Sequence, residues 1–140
     1  MPYPQFDRSR IVFKPLVQRK DKVFIERDHV SPGAEPRPLS PERMAIVEEA
    51  AARIRQARAE CRSRMIACGA HSIKNGLAPV FIRLIESGWI THLATNGAGI
   101  IHDWEFAFQG HSSEDVRANV TRGEFGKWQE SGFYLNLSIL

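Results

Sequence analysis

Cysteine is scarce in this chain: Cys61 and Cys68 are the only two, and they form no paired motif, which fits a reducing compartment. Cys68 sits in a short apolar run and reads as a small core residue. Long hydrophobic runs are also missing, so no bilayer-spanning segment is expected. The opening MPYPQFDRSR has no apolar signal core behind its charges, which makes the cytoplasm the default location. A large excess of charge of one sign is absent too. The net value is +3, and the aromatics do not interleave with the basic residues as a nucleic-acid groove requires. The His, Asp and Glu residues show no metal-ligand spacing such as H-E-x-x-H, and the cysteines add none, so no metal site is expected.

What is present is an ordinary globular composition, 43% hydrophobic and 25% charged, with room for one modest core in 140 residues. Residues 1–39 read as an irregular arm and linker. Breakers dominate there, with short extended pieces at Ile11–Phe13 and Val23–Ile25, and Ser31, Pro32, Gly33, Pro36 and Pro38 prevent a helix or a central strand. From residue 40 the pattern changes. Ser40, Pro41 and Glu42 supply a cap, a harmless proline and an acidic first turn, and a helix runs to about Glu60. Met44, Val47, Ala51 and Ile54 recur at helical spacing and predict one buried stripe. The arginines at 53, 55, 58, 62 and 64 then fall on its wet side and its C-terminal end.

Arg64–Cys68 reads as a buried strand and is followed by a helix from His71 or Ser72 to about Ser87, which Pro79 should kink or split. Trp89–Thr95 reads as a second strand, Asn96–Gly99 as a turn and Ile100–Gln109 as a helix. Strand, helix, strand, helix at this spacing is the βαβ pattern, whose parallel strands need cover on both faces. The expected fold is therefore α/β, a Rossmann-like parallel sheet with flanking helices over 40–140. Asp115 and its neighbours Ser112–Glu114 suggest a cap for a short helix through Val120, and an apolar segment from Phe125 to Ile139 closes the pattern.

In open α/β sheets ligands sit beyond the carboxyl ends of the strands. The unusual residues fall at those places: Gly69, Ala70, His71, Ser72, Lys74, Asn75 and Gly76 after the first strand, and Thr95 to Gly99 with His102, Asp103 and Glu105 after the second. Small residues at Gly97, Ala98 and Gly99 admit a ligand close to the backbone, and helix N-terminal amides attract phosphate. The same glycines also suit a tight strand-to-helix turn with no ligand. His71 and His102 are candidates for either chemistry or capping, whereas His92 reads as a strand imidazole and His111 as a solvated loop residue. Adjacent on a helix, His102 and Asp103 diverge by about 100° and cannot face one atom, so Asp103 with neighbouring loops, or His102 with Glu105, is the more workable pairing.

The block GAHSIKNGLAPVFIRLIESGWITHLATNGAGIIHDWEFAFQGHSSEDV, Gly69 to Val116, resembles the deoxyhypusine synthase family, in particular its diverged bacterial members, over about a third of the chain. The family's serine-rich first NAD loop is similar to Ala70–Gly76, and its T-T-A-G-G-V-E-E-D loop is similar to Thr95–Asp103. The resemblance implies NAD as cofactor, bound by Asn75, Gly76, Thr95, Asn96, Gly97, Ala98 and Gly99. It also implies a small-molecule substrate, a homo-oligomer (a tetramer in the family) and transferase- or oxidoreductase-type chemistry. His71, Lys74, His102 and Asp103 would then be the polar, catalytic groups near the nicotinamide, with His102 the acid or base. Two departures matter. Ile101 and His102 stand where the family has paired glutamates, which removes the carboxylates a polyamine's ammonium groups need. The family's catalytic tryptophan-glycine-lysine segment has no counterpart, so Lys127 does not inherit that role, and the site would need further chain or another subunit to complete it. The alternative is a non-catalytic α/β scaffold that associates through Trp128, Phe133, Tyr134 and Leu137.

Overall fold

The computed structural model describes residues 3–140. The elements follow in the order β1 (Asp21–Phe24), α1 (Ile25–Asp28), α2 (Pro41–Ala59), β2 (Met65–Cys68), α3 (Ala70–Lys74), α4 (Ala78–Glu86), β3 (His92–Thr95), α5 (Gly97–Gln109), β4 (His111–Glu114), α6 (Val116–Thr121) and α7 (Gln129–Leu137). Two small sheets result. β2 and β3 pair in parallel from Met65↔His92 to Cys68↔Thr95, while β1 and β4 pair antiparallel with Asp21 opposite Glu114 and Val23 opposite Ser112. This is a mixed α/β fold whose parallel pair is flanked by helices.

The strand–helix–strand–helix order over 65–109 matches the sequence pattern, with the break where proline demands it. Pro79 occupies the first turn of α4, where its missing N–H costs nothing, and Asn75–Leu77 separates α3 from α4. α5 starts three residues earlier than expected, so Gly97–Gly99 is its first turn and not a loop. Asn96 caps it by accepting from the Gly99 N–H at 3.0 Å, and Gly110 ends it at φ 77°.

The first 39 residues are less of an arm than their breakers suggest. A 3-10 turn at Leu16–Gln18 buries Leu16, the Leu16 N–H donates to Glu130 Oε2 at 2.6 Å, and β1 completes a sheet with β4. The extended piece expected at Val23–Ile25 is β1, displaced toward Asp21. β4 corrects a second expectation: Ser112–Glu114 is strand rather than helix cap, and Asp115 alone caps α6, accepting from the Ala118 N–H at 3.0 Å. His111 is likewise no free loop residue, since its Nδ1 lies 2.7 Å from Asp21 Oδ2.

α2 departs furthest from expectation. Its Met44, Val47 and Ile54 side chains remain exposed, and none of its residues is buried. What holds the helix is at its C-terminal end: the Arg58 guanidinium lies 4.1 Å from the Trp89 ring centroid, and Arg64 Nη1 donates to the Ala57 carbonyl at 3.3 Å. The expected solvated arginine face is there: Arg53, Arg55, Arg58 and Arg62 are exposed, and only Arg64, past the helix, is half-buried. Ser40 makes no side-chain bond to the helix backbone; its hydroxyl bonds the Glu42 carboxylate, which helps hold that group below the usual range after the larger effect of Glu42's own N–H.

The most deeply buried apolar residues are Leu16, Ile73, Ile90, Phe106 and Trp128, and they are matched by buried Arg19, Glu105, Ser112, Ser113, Asn119 and Ser131. α5 is the spine of this half: α3, β4 and α7 all pack on it.

Candidate functional site

The polar core is built around one carboxylate. Arg19 Nη1 and Nη2 each donate to Glu105 at 2.6 Å, a bidentate pair whose side chains are 3% and 1% exposed. The same guanidinium donates through Nε to Asp21 Oδ1 at 2.6 Å. Ser112 Oγ donates to Glu105 Oε2 at 2.5 Å and Ser131 Oγ to Oε1 at 2.9 Å. Glu105 therefore accepts four hydrogen bonds, which is the capacity of an ionised carboxylate. Burial by itself pushes its carboxyl up, and the Arg19 and Ser112 bonds more than reverse that, leaving Glu105 ionised below the usual range.

One further group joins the cluster. His102 Nδ1 lies 2.7 Å from Ser112 Oγ. Burial, only partly opposed by the Glu105 charge, together with the Lys74 and Arg19 cations holds the His102 pKa below the ordinary histidine value. His102 also lines a cavity of about 600 Å³ with Lys74, Gly97, Ala98, Trp128 and Leu135. That volume lies within the range of small-molecule sites, roughly 300–1,000 Å³.

The parallel register puts the exits of β2 and β3 at one end, and α3 packs on α5, so the two predicted loops are neighbours. A Cβ at Gly69 would lie 3.9 Å from Asn96 Nδ2 across that junction. Of the residues predicted for the site, Lys74, Gly97, Ala98 and His102 line the cavity and the others do not. His71 and Asp103 are exposed, and Asp103 diverges from His102 as its helical position requires. Thr95, Asn96 and Gly99 are engaged with one another. A Cβ at Gly99 would fall 2.1 Å from Thr95 Oγ1, so glycine there serves close strand–helix packing. Asn75 caps α3, and Gly76 at φ 87° is buried under Asp28 and His29. Gly97 differs, since nothing lies within 4 Å of where its Cβ would be.

Sequence reasoning missed Arg19, Ser112 and Ser131. The only available signal was the spacing of His102 and Glu105; no local pattern links residue 19 to residue 105. A second cleft of about 450 Å³ lies between α2, β2 and α4, lined by Ile54, Met65, Ile66, Leu84 and Trp89 among others. Among the described residues there is no cluster of three His, Cys, Asp or Glu side chains able to hold a metal, and no helix is long and apolar enough to cross a membrane. Comparison with protein-family models, curated proteins and solved structures finds no match to this chain.

Proposed function

We propose that the chain is a deoxyhypusine synthase-like, Rossmann-like NAD-binding module whose cavity serves transferase- or oxidoreductase-type chemistry on a small molecule. The carrying observation is the cavity of about 600 Å³ beside the adjoining exits of two parallel strands, walled by Gly97, Ala98, Lys74 and His102. That end of a parallel sheet is where α/β proteins bind ligands. Gly97 and Ala98 bring backbone N–H groups from the first turn of α5, the Gly99 N–H being taken by Asn96, and Lys74 adds a cation. This donor set suits a pyrophosphate, and the open space beside Gly97 suits its close approach. Thr95, Asn96, Asn75 and Gly76 act in this reading by shaping the two turns. His102 is the acid or base, and exposed His71 and Asp103 stand outside the cavity.

Calorimetric titration with NAD tests the proposal. Saturable heat is expected, with affinity about tenfold weaker in Lys74→Met, equivalent to ~1.4 kcal/mol. No heat at millimolar NAD from folded protein overturns it.

A second reading, a self-associating scaffold, is favoured by the exposed Met44, Val47 and Ile54 of α2 and Met65 and Leu93 of the parallel pair. Of the C-terminal residues expected to associate, Phe133, Tyr134 and Leu137 are exposed as well, and only Trp128 is buried. Sedimentation of a strictly monomeric species at high concentration removes this reading.

A further inference from the structure

The acceptors and charges around the cavity define what it takes. Glu105 has its acceptor sites filled by Arg19, Ser112 and Ser131. Glu114, the other carboxylate lining the cavity, accepts from Asn119 Nδ2 at 2.6 Å, Trp128 Nε1 at 3.0 Å and the Gly126 N–H at 3.0 Å. Glu105 has no acceptor site left for an ammonium group, and Glu114 keeps only one, on Oε1. The Lys74 side chain lines the same cavity and makes no hydrogen bond or ion pair among the described residues.

The histidine is fixed as well. A serine hydroxyl has one proton, and Ser112 commits it to ionised Glu105, so Ser112 Oγ accepts from His102. The proton of the neutral His102 ring therefore sits on Nδ1, and Nε2 carries the lone pair. Ser112 and Glu105 are positioning residues: they touch His102 directly or through one hydroxyl and set which nitrogen is the acceptor.

We infer that the cavity receives a small molecule bearing both a hydroxyl and an anionic group: its hydroxyl donates to His102 Nε2, held as an acceptor through Ser112 and Glu105, and its anion meets Lys74. The inference rests on the cavity being the functional site, as proposed above, and narrows its substrate to an anionic alcohol whose anion shares the Lys74 ammonium with the cofactor's pyrophosphate.

Nitrogen-15 histidine NMR on the full chain, with glycerol phosphate and spermidine as probes, tests it. Free protein should show His102 with a protonated Nδ1 and a pyridine-type Nε2, and Ser112→Ala should shift the population toward Nε2–H. Millimolar glycerol phosphate should move the Nε2 resonance saturably, about tenfold more weakly in Lys74→Met, whereas spermidine should leave it in place. A wild-type Nε2–H tautomer, an unmoved resonance with glycerol phosphate, or a response to spermidine overturns the inference. Should Ser112→Ala not fold, the wild-type tautomer decides the positioning role alone. None of these signals requires NAD, so absent NAD heat with a glycerol phosphate response removes the cofactor reading only.

Discussion

The two sheets of this protein solve opposite problems. Around the antiparallel pair β1–β4 the interior is polar, yet its groups are satisfied: Arg19, Asp21, Glu105, Ser112 and Ser131 bond one another with little exposure. Around the parallel pair β2–β3 the residues are apolar but remain open, with Met65 65% and Leu93 42% exposed and α2 touching down mainly at one end. Stability in the first region hangs on a few directional bonds that fail together. In the second it is spread over contacts that are individually dispensable.

The largest effect should come from breaking the first region. Glu105→Ala strands Arg19 against Asp21 alone, leaves Ser131 Oγ without its acceptor and Ser112 Oγ with only His102, and urea unfolding should show a loss of about 3–5 kcal/mol. The same cluster sets an acid limb. His102 and Glu105 both have folded-state pKa values below their ordinary 6.5 and 4.5. The unfolded chain therefore binds more protons across each window. The stability they contribute is complete above pH 6.5 and is lost as pH falls, first through the His102 window and then below 4.5. Midpoint-against-pH curves that lack the lower limb in Glu105→Gln would fix its origin.

Next comes Gly76→Ala. The new Cβ would meet the Asp28 carbonyl oxygen at 2.2 Å at a φ of 87°, so backbone must shift. Overpacking and left-handed strain together predict a loss of about 3 kcal/mol by denaturation. Cys61→Gly should act in the opposite sense. Cys61 sits at φ 53° just past α2, where the Arg62 N–H reaches the Ala57 carbonyl at 2.8 Å, and glycine there should raise stability by roughly 1 kcal/mol in thermal melts. The smallest change belongs to the open region: Ile54→Ala, at a side chain 45% exposed, should cost no more than about 0.5 kcal/mol in monomeric protein. A larger loss that grows with protein concentration would mean that the α2 face is covered by association, and the contrast between the two regions would narrow.

This contrast also marks what the sequence could convey. β2, α4, β3 and α5 follow from local periodicity, Pro79 and the glycines, and with them Lys74, Gly97, Ala98 and His102 come to line one cavity. β1 and β4 read Asp-Lys-Val-Phe and His-Ser-Ser-Glu, which lack the apolar alternation of a half-buried strand. They pair beside the buried Arg19–Glu105 contact, and partners so far apart in sequence leave no local pattern. The α2 stripe misled for the converse reason: helical spacing records which residues share a face, not whether anything lies against it.

The Arg19–Glu105–Ser131 junction also imposes an order on the chain's own assembly. During synthesis α2, β2, α3, α4 and β3 leave the ribosome with their partners close at hand. Arg19 must wait 86 residues for its carboxylate, and that carboxylate a further 26 for Ser131. Until then a guanidinium destined for the interior stays hydrated, and the N-terminal strand has no mate. The polar interior is thus closed only by contacts distant in sequence, which none of the neighbouring elements can supply.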